Sequence, residues 1–235
     1  MKILQCNIQS INTSLPLLKA TLQQKKAEVL LLQEIWRPDG NDISIFNFNY
    51  PIMKVRSGKG GGGVAILTHV SVKTVHLPEF DHADLEAVWA EVMVDKVRCV
   101  VGSVYIPPGD VKALDYLDEV VGSILKRYCK VLIAMDSNSR NVLWDDTAVL
   151  IPNGRLSIRM GRRLEQIMDK YDLVVHNSGA PTYESGGNFS APDVTLSSGI
   201  VQSEKVCWSI CDASLLTPHE AILIEVGNAA IPEVC

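Results

Sequence analysis

Two short runs constrain this chain more than anything else in it. Val29-Leu30-Leu31-Leu32 and Val131-Leu132-Ile133-Ala134-Met135 carry an apolar side chain at every position. A strand with one wet face alternates apolar and polar residues, so a run apolar at both parities reads as a strand covered on both sides. Each run stops abruptly on polar residues: Gln33-Glu34 after the first, Asp136-Ser137-Asn138 after the second. The first strand candidate, residues 3–8, likewise meets Asn7. Strand ends gather along one edge of a sheet, where polar groups can converge on a cleft.

The rest of the pattern supplies the layers. Leu15, Leu18 and Leu22 recur at helical spacing over residues 15–24, with Asn12-Thr13-Ser14 as the expected cap. A second helix is predicted over 111–127, with Leu114, Leu117, Val121 and Leu125 on one stripe, and a third over 158–171. Further strands are predicted at 64–68, 72–77, 87–94, 97–106, 173–176, 205–210 and 221–226, with Asp95-Lys96 as a hairpin turn. Residues 182–183 and 194–196 are expected to pair across Gly186-Gly187-Asn188. Strands alternate with helices, yet hairpins interrupt the alternation. The expected class is therefore α/β (α+β): a four-layered α/β sandwich, two mixed β-sheets packed face to face with helices outside.

With 235 residues, 47% of them hydrophobic, and no Pro/Gly-rich linker, the chain is expected to form one domain over 1–235. No run approaches the ~20 apolar residues of a membrane span, and the opening Met1-Lys2-Ile3-Leu4-Gln5-Cys6-Asn7 is too short and polar for a signal peptide. An intracellular protein is expected. The six cysteines lie mostly in or beside apolar runs and read as reduced thiols; Cys207 and Cys211 have no second pair to make a zinc site. A net charge of −5 argues against a protein that coats nucleic acid, but leaves room for an enzyme with an acidic metal site.

Several residues carry chemistry. Mg²⁺ takes hard oxygen ligands and keeps several waters, so Glu34 and Asp136 with a substrate phosphate would suffice. Asp136 and Asn138 point the same way if the segment is extended, but Asp-Ser-Asn is common turn chemistry, and on its own the turn is the favoured reading. Asp193 opens one strand and His219 precedes the last. A carboxylate on one imidazole nitrogen fixes the tautomer and aims the other at substrate. Tyr105, before Pro107-Pro108, is either a phosphate ligand or a rim aromatic. The glycine run at 60–63 lacks the Gly-Lys-Ser/Thr ending of a phosphate cradle and reads as a loop, with Arg56 and Lys59 near enough to touch a polyanion.

In order, Asn7, Gln33-Glu34, Tyr105, Asp136-Ser137-Asn138, Asp193 and His219 resemble the marks of the endonuclease/exonuclease/phosphatase superfamily, and the likeness spans nearly the whole chain. Asp136 through Trp144, with Val174-Val175-His176-Asn177 and Asp193 through Ser197, is similar to the endonuclease domain of non-LTR (LINE) retrotransposons, particularly insect elements that insert into telomeric repeats or ribosomal genes. That resemblance implies a nuclease that nicks double-stranded chromosomal DNA in the nucleus and leaves a 3′-hydroxyl to prime reverse transcription. It also implies that the chain is the N-terminal part of a polyprotein whose reverse transcriptase domain is its partner, monomeric when excised. Glu34 is then expected to hold Mg²⁺ (Mn²⁺ as substitute) with Asn7 beside it. Asp136 orients or deprotonates water. Asn138, Tyr105 and His219 stabilise the phosphate, and Asp193 holds His219. One departure stands out: the family's Ser-Asp-His is Thr217-Pro218-His219 here, which predicts a weaker reaction or a looser metal site.

Arg140, Arg155, Arg159, Arg162 and Arg163 are expected to line the DNA backbone, or else form a solvated helix face. The resemblance adds Trp144, Thr195, and Ser185, Asn188 and Ser190 of a groove-entering hairpin. The competing functions are an abasic-site repair nuclease, a phosphatase of lipid or inositol phosphates, and a catalytically weakened DNA-binding module.

Overall fold

The computed structural model describes residues 1–36, 43–56, 61–94, 97–152, 155–198, 206–213 and 215–227. One sheet runs in the order β13 (Val206–Ile210), β14 (Ile222–Val226), β1 (Lys2–Asn7), β2 (Val29–Gln33), β4 (Val64–Thr68), β3 (Ile52–Lys54). The other runs β5 (Lys73–His76), β6 (Glu86–Val94), β7 (Val97–Tyr105), β8 (Val131–Asp136), β12 (Asp193–Ser198), β9 (Leu173–Val175). The pairs β1–β2 and β7–β8 are parallel and the other ladders antiparallel, so both sheets are mixed. The helices are α1 (Ile11–Lys25), α2 (Val111–Leu125) and α3 (Leu156–Tyr171). None is long and apolar enough to cross a membrane among the described residues.

Parity within the strands produces the layers. Ile3, Val29, Leu31, Val64 and Ile66 of the first sheet meet Val88, Ala90, Val92, Val101, Leu132 and Ala134 of the second in a central core. The alternate residues Leu4, Cys6, Leu30, Leu32 and Leu67 turn outward onto Ile11, Leu18 and Leu22 of α1. On the far side Val100, Val104, Ile133, Met135, Val194 and Leu196 pack on Leu114, Leu117 and Val121 of α2 and Leu164 and Ile167 of α3. Both parities of the central strands are thus dry, which is why their sequences are apolar without alternation. The order helix, sheet, sheet, helix is the four-layered α/β sandwich expected, with its helices outside.

Two local expectations are corrected. Asn12-Thr13-Ser14 does not cap α1; the helix has already begun at Ile11, whose N–H bonds the Ile35 carbonyl. Ser14 is buried and its hydroxyl donates to the Ile8 and Leu215 carbonyls. Nor do 182–183 pair with 194–196. β12 is buried at every position and is flanked by β8 and β9, while Tyr183–Ser185 (β10) and Asn188–Ser190 (β11) pair with each other. Gly186 and Gly187, at φ 56° and 77°, make the tight two-residue turn between them. The Asp95-Lys96 turn and Lys59 lie outside the described residues. Cys6, Cys99 and Cys211 are buried, Cys129 and Cys207 are exposed, and none of the five is in a disulfide among the described residues.

Candidate active site

The inter-sheet layer is apolar at one end and polar at the other, and the residues facing it change character along each strand. After Ile3 come Gln5 and Asn7; after Leu31, Gln33; after Leu132 and Ala134, Asp136. Gln5 and Gln33 are fully buried and tie the sheets together, Gln5 through the Met135 carbonyl and the Thr195 hydroxyl, Gln33 through the Ser103 hydroxyl. Beyond them the register aligns two rows. Tyr105, Asp136 and Asp193 lie side by side on β7, β8 and β12; Asn7 and Gln33 lie side by side on β1 and β2.

Asn7 joins the rows. Its amide nitrogen donates to Asp136 Oδ2 at 2.8 Å and Glu34 Oε2 at 3.1 Å. Glu34 reaches that position because the chain leaves β2 in a left-handed turn, φ 51°. Asn138 is also left-handed, φ 44°, so the turn reading of Asp-Ser-Asn holds and the extended one does not. The turn still brings the two side chains together: Asn138 N–H donates to Asp136 Oδ1 at 3.1 Å, and its side-chain amide to the Ile106 carbonyl at 3.0 Å.

Behind this group, His219 Nδ1 and Asp193 Oδ2 share a 2.9 Å hydrogen bond. Thr182 donates to the same oxygen at 2.7 Å, and the Tyr183 ring meets the imidazole edge-on at 4.8 Å. Thr182 and Tyr183 escape a sequence reading because no local spacing ties them to Asp193 or His219. Asp193 Oδ1 is buried and makes no hydrogen bond among the described residues.

The electrostatics follow from burial. Burial and the neighbouring Asp193 push the Asp136 carboxyl up, against the pull of His219 and the Asn7 and Asn138 donors. Burial opposes charge on His219, but Asp193 outweighs it, and the imidazole is raised to about 9. It is therefore charged at neutral pH. Burial, with Glu34 and Asp136 nearby, pushes the Tyr105 phenol well up, so it keeps its proton and can donate. Arg56 lies over the Tyr105 ring at 5.5 Å and pairs with Glu86.

A cleft of about 390 Å³ opens on these groups, and Glu34, Tyr105, Asp136, Asn138 and His219 line it. Asn7 and Asp193 stand directly behind them, buried. The oxygens of Glu34 and Asp136 suit a hard cation. They converge on one amide nitrogen, and Glu34 faces the open cleft, where water can complete a coordination shell. Asp136, Asp193 and His219 also offer atoms within 4.8 Å of one another. There, however, His219 Nδ1 and Asp193 Oδ2 are already committed at hydrogen-bond length, which describes a dyad rather than a cage.

The residues expected to meet DNA divide. Arg140 and Ser190 line the cleft, Ser185 and Asn188 are exposed on the hairpin, and Arg155, the N-cap of α3, is exposed together with Arg159 and Arg162 of that helix. Arg163 turns the other way and pairs with Asp115 and Asp118 of α2. Trp144 and Thr195 are fully buried. Trp144 packs in the core against α3, and Thr195 bonds Gln5 and the Trp208 indole, so neither presents an atom to DNA. Thr217 and Pro218 are structural. The Thr217 hydroxyl donates to the Asn7 carbonyl at 3.1 Å, and the Pro218 carbonyl accepts Glu184 N–H at 2.9 Å.

A family model described as endonuclease-reverse transcriptase matches residues 99–223, a span holding Tyr105, Asp136, Asn138, Asp193 and His219. No curated protein sequence matches the chain. Among solved structures it is similar to the endonuclease domain of TRAS1, a telomere-specific non-LTR retrotransposon. The two share 17% identity over 96% of this chain and 97% of that one, with a TM-score of 0.77. The APE2 catalytic domain of Xenopus laevis shares 16% identity over 96% and 91%, TM-score 0.74. The 3′-5′ exonuclease NExo of Neisseria meningitidis shares 15% over 97% and 100%, TM-score 0.71. These identities show a common fold.

Proposed function

We propose, from the premise that the chain belongs to the endonuclease-reverse transcriptase family, that it is a divalent-metal-dependent endonuclease nicking double-stranded DNA and leaving a 3′-hydroxyl for reverse transcription. The observation that carries this reading is the Asn7 amide held between the Glu34 and Asp136 carboxylates in an open cleft, with the charged His219–Asp193 dyad beside it. On this reading residues 1–235 form one endonuclease unit at the N-terminal side of a reverse transcriptase, acting in the nucleus and monomeric by itself.

Glu34 and Asp136 would hold Mg²⁺ or Mn²⁺. When bound, the ion neutralises phosphate charge and favours ionised carboxylates at a site where burial and Asp193 otherwise push Asp136 toward its protonated form. Asp136 orients the attacking water and takes its proton. A new P–O bond forms as the bond to the 3′-oxygen breaks, and that oxygen takes a proton from solvent water as it leaves, giving the 3′-hydroxyl and a 5′-phosphate. His219 as imidazolium, the Tyr105 phenol and the Asn138 amide face the phosphate as charge accumulates on it. Asp193 fixes the imidazole through Nδ1, so Nε2 faces the substrate. Thr182 holds Asp193 in turn.

The test is nicking of supercoiled plasmid with Mg²⁺, Mn²⁺ or chelator, followed by polymerase extension of the nick without prior phosphatase. Metal-dependent nicks that extend directly are expected. Asp136→Ala and His219→Ala should each lose at least ~10²-fold in rate, with DNA affinity changed less, because these groups act on the transition state. Unchanged nicking in both variants refutes the assignment. Strong preference for an abasic oligonucleotide would make the chain a repair nuclease instead. Release of free phosphate from lipid or inositol phosphates without nicking would make it a phosphatase. A parent protein that binds DNA but never cuts it would be a binding module.

A further inference from the structure

We propose that Arg140 is a positioning residue for the β10–β11 hairpin, setting how that hairpin overhangs the cleft and hence where DNA is nicked. The consequence for nick position rests on the nickase reading; the brace itself does not.

The guanidinium is committed on three sides. Nε donates to Asp145 Oδ2 at 2.8 Å, and Nη2 donates to the Thr147 hydroxyl and to the Phe189 carbonyl, the latter at 2.9 Å. Asp145 is fully buried, so its charge requires this partner. Its other oxygen accepts Thr147 N–H at 3.0 Å and the Thr147 hydroxyl at 2.5 Å. Thr147 in turn lies 3.2 Å from the Phe189 carbonyl. The anchor for this clasp is rigid. Arg140 N–H donates to the Ser157 carbonyl at 3.1 Å, and α3 packs so closely that a Cβ on Gly161 would come 2.1 Å from the Arg140 carbonyl oxygen.

Among the described residues β10 and β11 form a two-stranded sheet of their own, joined by no other named strand. The hairpin is held on both of its strands. β10 is fastened to the His219 loop through Glu184 N–H to the Pro218 carbonyl and a backbone bridge between Tyr183 and His219. β11 is fastened at Phe189 by Arg140, whose guanidinium Asp145 and Thr147 hold in place. Two struts on opposite strands fix the tilt of an arm whose tip, 185–188, is exposed. An arginine spent in this way supplies a direction to the hairpin rather than a charge to a phosphate.

Two variants decide the matter. In the DNA-free protein, hydrogen exchange over 182–190 should accelerate about tenfold in Arg140→Gln, the equivalent of one lost hydrogen bond, and in the same direction in Thr147→Val. On mixed-sequence DNA, Thr147→Val should broaden the distribution of nick positions while total plasmid nicking stays within about threefold of the parent. The slope of log affinity against log salt should be unchanged in both variants, whereas loss of a phosphate contact would lower it by ~0.9. A slope lowered by that amount in Arg140→Gln, or hairpin exchange unchanged in both variants, overturns the proposal. A parent that fails to nick defeats the nickase reading alone, because the exchange measurement needs no activity.

Discussion

Gly102 sits directly opposite Trp89 in the β6–β7 ladder, on the face that packs against α2 and α3. The Trp89 indole is fully buried and lies across the glycine. A Cβ added at Gly102 would stand 2.2 Å from Cζ3, 2.6 Å from Cε3 and 2.9 Å from Cη2. Carbon contacts relax to about 3.5–4 Å, so ring and strand must separate by more than 1 Å in total. The obstacle is a fused ring in a filled core, with no flexible end to swing aside. Overpacking by a single carbon costs about 1–3 kcal/mol, and this geometry belongs at the upper end. Gly102→Ala should therefore lose about 3 kcal/mol in equilibrium urea unfolding. At about 2–4 °C per kcal/mol for a chain of this size, the melting temperature should fall by roughly 6–12 °C. A second substitution separates the clash from strand propensity. Trp89 Nε1 has no hydrogen-bond partner among the described residues, so Trp89→Leu forfeits no bond but opens a cavity. In Trp89→Leu/Gly102→Ala the new methyl enters that cavity, and the double variant should be more stable than the sum of the single effects by about 1–3 kcal/mol. A Gly102→Ala protein within about 0.5 kcal/mol of the parent, or strictly additive variants, would refute this account of the glycine.

Thr182→Val removes the second donor to Asp193 Oδ2, on a carboxylate whose other oxygen has no hydrogen bond among the described residues. It should lower kcat about tenfold with DNA affinity unchanged, and an unaltered kcat would remove Thr182 from the site. Gly62→Ala should cost about 1–2 kcal/mol in thermal unfolding and reduce nicking, since the residue is at φ 71° and its Cβ would come 2.5 Å from the Arg56 guanidinium that lies over Tyr105. For acid stability, partial burial pushes the Asp118 carboxyl up, but Lys170 and Arg163 outweigh it and hold it down to about 2. A carboxyl depressed by folding contributes stability above its unfolded value of ~3.9 and loses it as pH falls toward the folded value. Stability should drop by about 1 kcal/mol through this group between pH ~4 and ~2, and Asp118→Asn should be less stable at pH 7 while lacking that increment of acid sensitivity.

Some of this molecule is legible without coordinates. Strands 29–33 and 131–136 are readable because burial on both faces leaves no polar position within them until their ends. The heptad-like stripe of Leu114, Leu117 and Val121 is readable for the complementary reason, one apolar face every turn. The hairpin at 183–190 is not legible from the residue pattern, because its short strands are mostly exposed and carry no period; Gly186-Gly187 marks the turn, and it is the family resemblance that places a hairpin over this segment. Trp144 and Arg140 belong to one sequence signature and meet opposite fates. Trp144 fills the core, and Arg140 neutralises a buried aspartate that nothing local to it identifies.

The sequence by itself determined the layers and the chemistry at their edge. Apolar residues at both parities require cover on both faces, and the polar groups closing those strands have to emerge where the cover ends. Only the tertiary structure decided which groups meet. Asn7 stands between Glu34 and Asp136 because the two sheets stack with those rows opposed. Thr182 supports the dyad because the hairpin's first strand is laid against the His219 loop. Periodicity tells a side chain which face it occupies; the partner across that face is fixed by packing between segments more than a hundred residues apart in the case of Asn7 and Asp136.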